Sequence, residues 1–114
     1  MPLVTVQLYQ AAGGVCPFEA WAKRLDAAAL VKVTAAVSRL EDGSFSNVKG
    51  VGKGVFERKI DFGPGYRIYF GKDGEEIVIL LGGGDKRSQD KDISAAQRRW
   101  SDYKARKQFE RGKS

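Results

Sequence analysis

Glu57, Lys59, Arg67 and Tyr69 have residue types and spacing suited to chemistry at a phosphodiester. They lie in two runs rich in β-branched and aromatic residues, where alternate positions of a strand share one face. Lys86 and Arg87 follow the next apolar run. Cleavage of RNA through its own 2′-hydroxyl needs three things: a proton acceptor at that oxygen, positive charge at the phosphorus oxygens, and a donor for the leaving 5′-oxygen. Arg suits the second role through its fixed, bidentate fork. Glu57 or Lys59 could take the proton, and Tyr69 could stack on a base. A solvated sheet face bearing Glu and Lys is also common, so spacing alone does not select this chemistry.

The elements that would position these residues span positions 55–81. Asp73-Gly74 signals a two-residue hairpin turn, and Gly63-Pro64-Gly65 signals a second reversal. The expected meander sets Phe70 opposite Ile77, Ile68 opposite Ile79, Tyr66 opposite Leu81 and Ile60 opposite Ile68. One face then carries Ile60, Phe62, Tyr66, Ile68, Phe70, Ile77, Ile79 and Leu81 as the core. The other carries Glu57, Lys59, Asp61, Arg67 and Tyr69, with Val78 and Leu80 beside them. Arg58 is the misfit, placed by parity on the core face at its rim. On this reading Arg67 projects away from the core, so its loss would spare the fold.

Around the meander, residues 3–9 alternate as a half-buried strand, with Val4, Val6 and Leu8 on one side. A helix is expected over 17–26, opened by Pro17 and carrying Phe18, Trp21, Ala22 and Leu25. A second is expected over 28–40, with Leu30, Val33, Val37 and Leu40 as its stripe. The loop through Gly50, Gly52 and Gly54 looks like a phosphate cradle but lacks the Walker spacing. Gly82-Gly83-Gly84 either admits a close approach or turns. The final helix is expected over 88–109, capped by Ser88, with Ile93, Ala96, Trp100 and Tyr103 inward and a frayed tail at about 110–114. The fold class is α+β: a small, mainly antiparallel sheet, an N-terminal helical hairpin on one face and a C-terminal basic helix. One domain is expected over residues 1–114.

The 114 residues are 42% hydrophobic and 30% charged, which suits a folded domain. No apolar run reaches the ~20 residues of a membrane span, and no signal peptide is visible. With a single cysteine, Cys16, the expected compartment is the cytoplasm. There is no histidine, so His-based zinc sites and a His general base are excluded. The net charge is +6, and all of that excess lies in residues 86–114. Such a segment favours a polyanion or an acidic partner, and Arg98, Arg99 and Lys104 join Tyr69 as candidate RNA contacts.

The run Phe56-Glu57-Arg58-Lys59-Ile60-Asp61-Phe62-Gly63-Pro64-Gly65-Tyr66-Arg67-Ile68-Tyr69-Phe70 resembles the signature of the RelE/ParE toxin superfamily, nearest its HigB-like addiction-module killer branch. Residues 77–86 and 90–93 extend the likeness. The resemblance implies a toxin of a type II toxin–antitoxin module. Many members are ribosome-dependent endoribonucleases that cleave mRNA without metal or other cofactor, whereas ParE-type relatives inhibit DNA gyrase. A relative that binds RNA without activity is a further alternative. By position, the resemblance assigns the scissile-phosphate contact to Arg67, one of two basic strand sites to Lys59, the other, changed here from cation to carboxylate, to Glu57, and a basic site after the last strand to Arg87 or Lys86. Ile93 falls where well-studied members carry a catalytic tyrosine, and Tyr103 is too far along the helix to replace it. The implied partners are the ribosome with its mRNA and a cognate antitoxin, a helix-turn-helix protein encoded nearby. Promoter DNA would be met only through the antitoxin complex, and no membrane is involved.

Overall fold

A computed structural model describes residues 3–112. The chain runs β1 (Thr5–Leu8), α1 (Pro17–Ala22), α2 (Ala27–Glu41), β2 (Val48–Gly50), β3 (Val55–Ile60), β4 (Tyr66–Asp73), β5 (Ile77–Gly84), a 3₁₀ turn (Lys86–Ser88) and α3 (Gln89–Gly112). The fold is α+β. The five strands lie in the order β1-β5-β4-β3-β2, antiparallel except for β1, which runs parallel to β5. Among the described residues no helix is long and apolar enough to cross a membrane.

Both faces of the sheet are covered. On one, Phe18 and Trp21 of α1 and Val33, Ala36 and Leu40 of α2 pack with Ile60, Ile68, Phe70, Val78 and Leu80. On the other, Ala96 and Trp100 of α3 pack with Tyr9, Val55, Tyr69, Ile79 and Leu81. The expected single core face is therefore corrected. The turn after Asp73 holds three residues, and Asp73 pairs with Ile77. Phe70 accordingly meets Leu80 and not Ile77, an odd shift that turns every β5 side chain over. A bulge at Tyr69/Phe70 then sets Ile68 opposite Gly83. Ile60 pairs with Tyr66 and not Ile68, an even shift that leaves the faces of β3 and β4 as expected.

Local chemistry explains the helices. Pro17 opens α1, which ends sooner than expected, at Ala22. The Asp26 carboxylate caps α2 by accepting from the Ala29 N–H at 2.9 Å. The buried stripe of α2 is Ala29, Val33, Ala36 and Leu40, so Leu30 is left largely in solvent. Asp85, not Ser88, opens the C-terminal helical segment, accepting from the Arg87 N–H. Helix α3 continues through residues 110–112, where fraying was expected; residues 113 and 114 lie outside the described chain.

The glycine runs are contact surfaces. A Cβ on Gly83 would stand 2.2 Å from the Trp21 ring, and one on Gly71 would stand 2.4 Å from the Trp100 ring. Gly54 likewise lies under Trp100. The Gly50–Gly54 loop is a tight turn from β2 into β3, closed by the Val51 N–H donating to the Val55 carbonyl at 2.9 Å. Gly54 is accounted for by Trp100 and Gly52 by Gln97, whose amide lies 3.1 Å from its Cβ position, whereas nothing lies within 4 Å of the Cβ position of Gly50.

Candidate active site

Lys59 and Arg67 are direct partners across β3 and β4. With Lys86 and the Asp61–Gly65 loop they line a shallow depression of about 390 Å³. Arg67 is only 6% exposed. Its Nη1 donates to the Gly65 carbonyl at 2.8 Å, and its Nε lies 3.4 Å from Glu57 Oε1 without hydrogen-bond geometry. The guanidinium is thus fixed before any ligand arrives. Gly65 makes this possible: its φ of +80° turns the chain and presents its carbonyl to the guanidinium. Lys59 is exposed and lies 3.5 Å from Asp61. Lys86 is exposed, with no ion-pair partner among the described residues. Three of the five expected catalytic residues therefore meet at one place.

Glu57 and Tyr69 do not stand on an open face, which corrects the expectation. Helix α3 covers them. Glu57 is 1% exposed, accepts from Gln89 Nε2 at 2.8 Å, and lies 3.6 Å from Lys49 Nζ. It serves as the counter-ion of Arg67. Tyr69 is fully buried and cannot stack on a base in this arrangement. Its hydroxyl has no hydrogen-bond partner among the described residues. Burial, and then the nearby Glu57 carboxylate, push its pKa well above the usual phenol value. The two groups couple electrostatically without reaching a hydrogen bond of normal geometry. Val78 and Leu80 are buried under α1 and α2, so they do not flank the cations.

The remaining basic residues divide into tied and open groups. Arg87 Nη2 lies 3.0 Å from Asp85 Oδ2, and this bond holds the Asp85 carboxyl below its ordinary range. Arg99 donates from Nη1 to the Leu81 carbonyl at 2.9 Å, and burial lowers its pKa. Arg106 binds Asp102 at 2.6 Å, and Lys107 pairs with Asp73. Arg98 is open, as is Lys104, whose Nζ lies 5.8 Å from the centre of the Trp100 ring. Ile93 packs in the α3 core, and Tyr103 donates to Asp73 at 2.7 Å, away from the depression.

Sequence reasoning missed Gln89 and Lys49 as partners of Glu57. Tyr66, expected in the core, packs against it, with its ring 6.2 Å from that of Trp21.

An "uncharacterized protein" of Haemophilus influenzae is 44% identical over 81 residues, covering 70% of this chain and 82% of that protein. The chain belongs to the same family as the Haemophilus protein. No family model and no solved structure matches the chain.

Proposed function

We propose that this chain is the toxin of a type II toxin–antitoxin module, an endoribonuclease that cuts mRNA on the ribosome in the cytoplasm. The supporting observation is the convergence of Arg67, Lys59 and Lys86 on one depression, with Asp61 its one acidic residue. The resemblance of residues 56–70 to the toxin signature supports the same reading. In the reaction, the RNA 2′-oxygen forms a bond to phosphorus while the bond to the 5′-oxygen breaks, giving a cyclic phosphate and a free 5′-hydroxyl. The held Arg67 fork would stabilise the charge that builds on the phosphorus oxygens. Lys59 and Lys86 face the depression from its two sides and would handle the proton transfers. Glu57 acts through Arg67 by holding it in position. An acidic segment of the antitoxin would cover the same cations.

The burial of Glu57 and Tyr69 favours a second reading, a gyrase-type protein target, because it withdraws two groups from the RNA site. Induction in growing cells separates the two. The ribonuclease reading expects arrested translation before any DNA-damage response. A damage response with translation intact would contradict it.

A further inference from the structure

Arg58 is buried without a counter-ion. The residue is 3% exposed, and its Nη1 donates to the Ser44 carbonyl at 3.0 Å. Among the described residues it has no carboxylate partner. Burial, and then the positive charge of Arg39, lower its pKa. A cation in such a place is costly unless an anion answers it. Arg58 is among the residues that line a groove of about 320 Å³ between α2 and the outer edge of β3. Lys32, Arg39 and Lys59 line the same groove, and Asp61 is its only acid. Lys32 Nζ stands 5.5 Å over the Phe62 ring, which holds that charge at the groove's end.

The groove adjoins the active-site depression. Lys59 and Asp61 line both. Strand β2 stops opposite Arg58, where Val48 is its partner, and the Lys59 N–H makes the last bond, to the Asn47 carbonyl at 3.2 Å. Beyond that point β2 offers the outer edge of β3 no further paired residue.

We propose that this groove is a second phosphate subsite, in which Arg58, Arg39 and Lys32 hold a backbone phosphate of the RNA whose scissile bond lies at Arg67. The assignment rests on the ribonuclease reading for its ligand. It accounts for a buried arginine that neither the core nor the catalytic depression uses.

The first test titrates inorganic pyrophosphate into isotope-labelled full-length chain and follows amide resonances. Saturable shifts are expected at Lys59, Ile60 and Asp61. They should weaken at least about tenfold in Arg39→Glu, a surface change, and in Arg58→Met, whose apolar side chain suits the buried position. Absence of saturable shifts in the wild type, or equal affinity in both variants, would overturn the subsite. The second test measures binding of a short labelled single-stranded RNA against salt. Arg39→Glu should weaken binding about tenfold and reduce the salt slope by about 0.7 for the lost phosphate. RNA that does not bind the wild type, or binds the variant equally, would overturn the RNA assignment; pyrophosphate binding alone would then mark a free-anion site. Failure of the ribonuclease reading itself appears separately, as intact message in the presence of wild-type chain, and leaves the pyrophosphate result standing.

Discussion

Glu57 Oε1 lies 3.4 Å from Arg67 Nε, and both side chains are almost closed to water. Removing one partner of such a pair leaves a buried charge poorly answered. Glu57→Gln and Arg67→Ala should therefore each lower stability by about 3 kcal/mol in urea unfolding. Arg67→Ala is thus a poor test of activity alone, contrary to a reading that sets Arg67 on an open face. A loss below about 0.5 kcal/mol, ordinary for a surface change, would show that the pair is not closed off.

Gly83 and Gly71 are seats for the two tryptophans, 2.2 Å and 2.4 Å from where a Cβ would stand. Gly83→Ala and Gly71→Ala should each cost about 1–3 kcal/mol through overpacking. Gly13→Ala, with nothing within 4 Å of its Cβ position, is the control. Thermal melts of the three variants check the ranking.

Asp73 ties the end of β4 to α3 through Lys107 and Tyr103. The Lys107 bond and then the Tyr103 bond pull the Asp73 carboxyl below its ordinary 3.8. Its contribution is present above about pH 3.8 and is lost as pH falls through the lowered value. Burial and then the Asp73 bond push Tyr103 from 10.0 up to about 12, so its contribution is present below pH 10 and lost as pH rises through about 12. Stability should be flat between those limits as far as this latch is concerned. Asp73→Asn should cost about 1 kcal/mol at neutral pH and flatten the acid limb of a melting-temperature profile.

Arg98 and Arg99 are neighbours with different duties. Arg98→Glu should change stability by less than about 0.5 kcal/mol. Arg99→Glu should destabilise measurably, because it removes the donor to the buried strand carbonyl of Leu81. Urea midpoints of the two variants distinguish them.

Much of this fold was legible because apolar periodicity is local. The inward stripe of α3, the helix opened by Pro17 and the shared parity of Lys59 and Arg67 all follow from spacing along one element. The β5 faces were not, because parity across a hairpin depends on turn length. Asp73-Gly74 fits both a two-residue turn and the observed three-residue one. The error carried into the site. With β5 inverted, Ile79 and Leu81 form a second apolar face, α3 packs on it, and Glu57 and Tyr69 disappear beneath that helix. The basic depression survived because Lys59 and Arg67 pair near the ends of β3 and β4, and Lys86 lies in the 3₁₀ turn that precedes α3.

Primer extension on a message during in vitro translation tests the central claim most directly. Wild-type chain should produce discrete truncations on translated message. The Lys59→Ala, Lys86→Ala double variant changes only exposed side chains and should melt with the wild type while cutting at least about a hundredfold more slowly. Uncut message with the wild type, or equal cutting by the folded double variant, would contradict the account.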